Sequence, residues 1–379
     1  MKNRVPQARS RRGAIAVFTA FVMIAVLSMV AFGVDMGFIM VARADLQRSA
    51  DAAAHAGAMR LTEEGSNYTL ISAARQAARD YVASNDVLHS AVTVSPNYFN
   101  TDPHGDIVVG KLDFDNPSGP LILGSPDEYN AVRVRVRRTQ EQNGEVGLFF
   151  GRLLGRTGIE LEASATAAVV RNVQGFRIPR SGANLPVLPL GISQTHWEAM
   201  LNAQTFDDWS WNSDGTISEG PDGIPEAVLF PNSLTSGNFG TLNIGHDQNS
   251  TSMLARQIRE GLNSSDLNMY GGELKLDGSG QLSLTGDPGL STSLKDDIGA
   301  VAGVPKIIPL YSQVAGTGNG SSFTVVKWVG VRIMSVNLSG SDKKLVIQPA
   351  DIKTHGAIPG DVSGSQTSDQ IYTPAVLVN

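Results

Sequence analysis

The stretch that most constrains this chain is 13–34, GAIAVFTAFVMIAVLSMVAFGV, 22 residues without a charge. Built as a helix rising ~1.5 Å per residue it is about 33 Å long, enough to cross a hydrocarbon core of about 30 Å. Lys2, Arg4, Arg9, Arg11 and Arg12 precede it with no acidic residue among them, and Asp35 follows at once. Basic residues collect on the cytoplasmic flank of a span. The asymmetry therefore predicts a single pass with residues 1–12 in the cytoplasm and 35–379 outside. A cleaved signal peptide would have an apolar core of about 7–15 residues ending at a small-x-small site. Ala42-Arg43-Ala44 fits that pattern but lies eight residues beyond the run. An uncleaved anchor is the expectation.

The net charge of −6 hides a strong division. With the five basic residues before Gly13 set aside, the rest carries 25 basic and 36 acidic residues. That balance argues against a nucleic-acid partner, which needs clustered Lys and Arg. There is no cysteine, so disulfides, Cys-ligated metals and thiol nucleophiles are excluded. A secreted eukaryotic chain of this size commonly carries disulfides, so their absence points to a bacterial envelope. The 40 glycines, most of them after residue 180, announce short strands and many turns.

Beyond Asp35 comes MGFIMVARADLQRSADAAAHAGAMRL, rich in helix formers. Ala50, Ala54 and Ala58 repeat at four-residue spacing, with Ala53 and Gly57 beside them. Such a stripe of small residues lets another backbone approach closely. It serves either packing within the chain's own domain or a stalk that packs on neighbouring helices, in a homo- or hetero-oligomer. A second amphipathic helix is predicted over 68–84, with Leu70, Ile71, Ala74, Ala77, Ala78 and Tyr81 on one face.

Strand patterns follow at 91–94, 106–115, 130–138 and 161–170. In NAVRVRVRR the valines 132, 134 and 136 alternate with Arg133, Arg135 and Arg137. That arginine face either binds an anion or is an ordinary solvated sheet face, the second being the commoner case. The apolar LFFGRLL at 148–154 is expected to dock on this sheet. Residues 173–184 look like a linker. After them, short apolar runs at 187–192, 227–230, 274–276, 281–284, 306–311, 323–335 and 344–348 read as strands, with helices near 195–202 and 251–262. The fold class is therefore α+β. A transmembrane helix (13–34) continues into an Ala-rich helix within an α+β domain (35–172), and a β-rich domain (185–379) follows the linker.

Several of these residues resemble a known family. Arg11-Arg12-Gly13-Ala14 opens the anchor, then come Val34-Asp35-Met36-Gly37 and the run from Arg43 through Leu46-Gln47 to SADAAAHAGAM. In spacing and composition this is similar to the TadG-like (TadE/TadG) Flp pilus-assembly proteins, with His55 where the family usually has leucine. A looser likeness covers Gly237-Asn238-Phe239-Gly240, Ser250 to Gly261, Gly286-Asp287-Pro288-Gly289 and the apolar segments 308–311 and 323–331. The resemblance implies a non-enzymatic part of the tight-adherence pilus machinery in the bacterial inner membrane, whose partners are the membrane and other Tad/Flp assembly proteins. Two departures are informative. Pilins of this system carry a glutamate five residues after the cleavage glycine, and here that position is Phe18. Many TadG-like chains contain a von Willebrand A domain opening with Asp-x-Ser-x-Ser. Asp361-Val362-Ser363-Gly364-Ser365 matches the letters, but only 14 residues remain after it, so it reads as coincidence.

No other motif carries chemistry. The loop from Ser210 to Pro221 places Asn212, Asp214, Gly215, Ile217 and Ser218 as in a calcium loop. It lacks the acidic residues at the first and last ligand positions, where Ser210 and Pro221 stand. Gly316 to Gly320 precedes a strand instead of a helix and reads as a hairpin loop. No Walker A, HExxH or GxSxG pattern occurs, and the six histidines are scattered. No catalytic, cofactor or metal residue is assigned. The runner-up reading is an anchored extracytoplasmic adhesin or ligand-binding protein, calcium-dependent through 210–222.

Overall fold

A computed structural model describes residues 12–63, 65–113, 116–203, 206–229, 238–245, 250–340, 343–360 and 366–378. The Asp361–Ser365 motif and Gly237 lie outside them. The anchor and the Ala-rich segment form one uninterrupted helix, α1 (Arg12–Arg60), 49 residues and so about 73 Å long. Residues 15–34 are exposed except for half-buried Ala31. From Asp35 onward a stripe of α1 turns inward: Asp35, Ala42, Leu46, Ser49, Ala50, Ala53, Ala54, Gly57 and Ala58 are buried. Steps of three and four keep them on one face of a 3.6-residue turn.

What covers that face is the chain's own domain. Helix α2 (Asn67–Ala83) is capped by Ser66, whose Oγ accepts from the Thr69 amide at 3.3 Å, and buries Leu70, Ala74, Ala77, Ala78 and Val82. Tyr81, expected on that face, is exposed because Val82 occupies the inward position. The sheet beneath is built from β1 (Ile107–Gly110), β2 (Ala131–Arg138) and, after the short hairpin β3 (Val146–Gly147) and β4 (Gly158–Ile159), β5 (Leu161–Ala168). Strand β2 is central and antiparallel to both β1 and β5. Its Val132, Val134 and Val136 are fully buried under the helices, as the alternation predicts, and so is Ala167 of β5. Small side chains on α1, α2 and β5 bring these backbones close. A Cβ added to Gly57 would lie 3.0 Å from the Ala74 carbonyl oxygen and 3.0 Å from Val132 Cγ1.

Several expectations need correction here. Residues 91–94 form no strand; Val92 and Val94 are buried in an extended segment. The LFFGRLL segment does not dock on the sheet. It is the tip of the β3–β4 hairpin, and it reaches α1 instead. The supposed linker begins with a strand, β6 (Val173–Arg177), whose Val173 and Phe176 are fully buried. The C-terminal strand Val376–Val378 returns to the first sheet and pairs antiparallel with β5. The first sheet is thus completed by residues far outside 35–172, a pairing that no local pattern announces.

The β-rich part centres on a closed ring of strands. β7 (Leu190–Ser193) pairs with Phe239–Leu242, which pairs with Leu282–Asp287, then Ser321–Asn337, then Lys306–Ala315. Lys306–Ala315 pairs back onto β7 in parallel and closes the circuit. Gly316 to Gly320 is the hairpin loop the sequence implied. The long strand Ser321–Asn337 continues past the ring to pair with Lys344–Pro349, which pairs in turn with Ala227–Leu229. Inside the ring Phe323 packs edge-on against Tyr311, centroids 4.9 Å apart. Gly286 makes room for it: a Cβ there would fall 2.9 Å from the Phe323 ring and 2.3 Å from the Thr241 carbonyl oxygen.

Close packing under α1 makes a direct prediction. Gly57→Val forces two methyl groups against the Ala74 carbonyl and Val132. It should cost about 1–3 kcal/mol in urea unfolding of the detergent-solubilised protein, whereas Ala52→Val, on the half-buried outer side, should change little.

Candidate functional site

The feature that ties membrane to body is the turn of α1 where the apolar run ends. Asp35 is buried, and its carboxylate accepts from three consecutive amides of the β3–β4 hairpin: Phe149 at 2.8 Å, Phe150 at 3.2 Å and Gly151 at 2.8 Å. One turn further into the domain, Phe38 meets the Phe149 ring edge-on with centroids 5.0 Å apart. The hairpin therefore runs along α1 towards the span. Its tip is closed by the Arg156 amide donating to the Gly151 carbonyl, and by Gly155 at φ 83°, where glycine costs least. Asp35 directly follows the uncharged run, and its partners lie 114–116 residues away, where no local pattern marks them.

The five residues of the small-residue stripe, Ala50, Ala53, Ala54, Gly57 and Ala58, are all buried in the core shared by α1, α2 and the sheet. The outer face of α1 carries Ala44, Gln47, Arg48, Asp51, Ala52, His55 and Ala56. These line an open groove of about 1000 Å³ bounded by Tyr81 and Leu377. Gly33 and Gly37 have no atom within 4 Å of where a Cβ would stand. At 100° per residue both lie on the helix face away from Asp35.

The arginine strand is not one anion site. Arg133 donates from Nε to Thr166 Oγ1 at 2.9 Å and from its terminal nitrogen to the Gly119 carbonyl. Arg137 pairs with Asp106, a fully buried carboxylate that also accepts from the Ser95 amide at 2.7 Å and Gln142 Nε2 at 2.8 Å. Two of the three guanidinium groups thus hold neighbouring loops onto the sheet.

The calcium-like loop is a β-hairpin, Trp209–Trp211 with Ile217–Glu219. Its polar groups are spent on one another: Asp214 accepts from Thr216 Oγ1 at 2.6 Å, and Ser210 meets Ser218 at 2.9 Å. Asp207 takes the Asp222 and Gly223 amides, and Asp222 takes the Gln348 side chain. Among the described residues no three His, Asp or Glu side chains are grouped to share a metal ion. Beneath the hairpin lies Glu226, fully buried. One oxygen accepts from the Asp208 amide at 3.2 Å, and the other has no partner among the described residues. Burial, with Asp208 and Asp207 nearby, pushes its carboxyl up to about 7.

An unpacked apolar helix running without a break into an α+β body is the architecture of a single-pass membrane-anchored protein. Two family descriptions match the chain: the TadE/G-like Flp pilus-assembly family over residues 13–60 and the Tad-like Flp pilus-assembly family over residues 56–167. Over that continuous stretch, residues 13–167, the chain is similar to the TadE/G-like Flp pilus-assembly proteins. Neither match extends into residues 168–379, where the looser likeness lay. No curated protein and no solved structure gives a significant match.

Two outcomes follow. Asp35→Ala strips three amides of their acceptor, a local cost of about 1–3 kcal/mol. Trypsin should then cut faster at Arg152 and Arg156 in the detergent-solubilised variant. For Glu226, the folded state holds its proton at a pH where the unfolded chain has lost it. Its contribution is fully present below pH 4.5 and is lost as pH rises to about 7, by up to about 3 kcal/mol. Glu226→Gln should flatten that decline in a pH series of melting temperatures.

Proposed function

We propose that this protein is a non-enzymatic, single-pass component of Tad/Flp pilus assembly, held in the bacterial inner membrane with its N-terminus cytoplasmic and its bulk outside. In this reading it contributes to pilus biogenesis and adherence by helix packing and by partner contacts of the β-rich region. The observation that carries the reading is α1 itself: one helix whose first half is bare and apolar and whose second half is locked into the family-matched domain. A neighbouring assembly protein embedded in the same membrane meets the bare half. Gly33 and Gly37, four residues apart and uncovered, offer the close approach that helix pairs in lipid use. The buried stripe at Ala50–Ala58 is then the intramolecular clamp, and contact with other copies or other Tad proteins falls to the outer face of α1. The basic flank at residues 2–12 supports the orientation.

A strain lacking the gene should lose surface pili and surface attachment, and the wild-type chain should restore both. Normal piliation in the deletion strain would overturn the reading. Gly33→Leu with Gly37→Leu should reduce co-purification with other pilus-assembly proteins while leaving the melting temperature unchanged.

A further inference from the structure

The tip of the β3–β4 hairpin groups four exposed large apolar side chains outside the span. Phe149 is 60% exposed, Leu153 84% and Leu154 88%, and Phe150 is partly open beside them. Grouped on one tip, these side chains make an exposed apolar cluster that calls for a covering. Its position says which. The Asp35 carboxylate fixes the amides of 149–151 at the residue that directly follows the uncharged run, and Phe38–Phe149 sets the hairpin running towards that run. A tip held beside the first residue outside a span sits at the boundary between headgroups and acyl chains. The segment from Leu148 to Thr157 contains Arg152 and Arg156 and no acidic residue. Aromatic and aliphatic side chains flanked by arginines suit that boundary, with the rings and leucines in the acyl edge and the guanidinium groups on phosphates.

We infer that residues 149–156 form a second membrane contact, a monotopic foot that inserts Phe150, Leu153 and Leu154 into the leaflet from which α1 emerges. Span and foot together would set the tilt and rotation of the body on the membrane, which a single helix leaves free. The inference rests on α1 crossing the bilayer, and the test separates the two claims.

The chain has no cysteine, so single cysteines can carry an environment-sensitive fluorophore at Leu154, at Val26 within the span, and at exposed Tyr98 in the body. The full-length protein is reconstituted into phosphatidylcholine–phosphatidylglycerol vesicles and challenged with spin-labelled lipid or aqueous iodide. The label at 154 should be quenched by lipids labelled near the headgroup, and iodide quenching there should fall several-fold relative to Tyr98. Adding Leu153→Glu should return the 154 label to water, and Asp35→Ala should weaken the lipid quenching. A 154 label that iodide quenches like Tyr98, while Val26 is lipid-quenched, overturns the foot and leaves the span standing. Protection of 154 only when other pilus-assembly proteins are co-reconstituted also overturns it, in favour of a protein contact. A Val26 label open to iodide would remove the span and the foot together.

Discussion

Everything in this molecule depends on how closely α1 lies on its own domain. Alanine and glycine at 50, 53, 54, 57 and 58 give up the large apolar side chains that usually drive burial, and gain backbone proximity. The partners match: Ala74, Ala77 and Ala78 on α2, and Ala165 and Ala167 on β5. Such a seam gains its energy from many short contacts and so tolerates little added volume. In return the anchor is not a tether. The same helix that lies bare over residues 15–34 is, two turns later, a core element of the α+β domain.

Asp35 completes that coupling at the border. A carboxylate taken from water needs its lone pairs satisfied, and three consecutive hairpin amides do so. The bond fixes a loop to the helix just where the solvent changes from lipid to water. Body, hairpin and helix are thereby joined as one object. In the proposed pilus-assembly role this matters physically, because displacement of the body is transmitted to the anchor and not absorbed by a hinge.

Much of this was legible from the residues. Uncharged length gave the anchor, alternation gave the inward valines of β2, and the 3.6-residue pattern gave α2 nearly to the residue. Most strands from 190 to 349 emerged from short apolar runs cut by Gly and Asn, but Phe239–Leu242 and the hairpin Trp209–Trp211 with Ile217–Glu219 did not. What could not be read was long-range. The return of Val376–Val378 to β5 and the closure of the ring by Lys306–Ala315 on β7 depend on pairings across the chain. The hairpin tip was misjudged for a related reason: LFFGRLL is apolar, and apolarity alone does not distinguish a side chain bound for the core from one bound for lipid. Asp35 carried no local mark of its three amide partners. The spacing of the small-residue stripe permitted an inner partner as well as an outer one, and in the structure all five residues are buried in the chain's own core.

Anchor and body are one rigid unit on a continuous helix. Spin labels at Val26→Cys and His55→Cys, measured by pulsed dipolar spectroscopy in lipid nanodiscs, test it directly. An unbroken helix places these positions about 44 Å apart and should give one narrow distance distribution near that value. A broad or markedly shorter distribution would mean a hinge near Gly33 or Gly37, and would contradict the account.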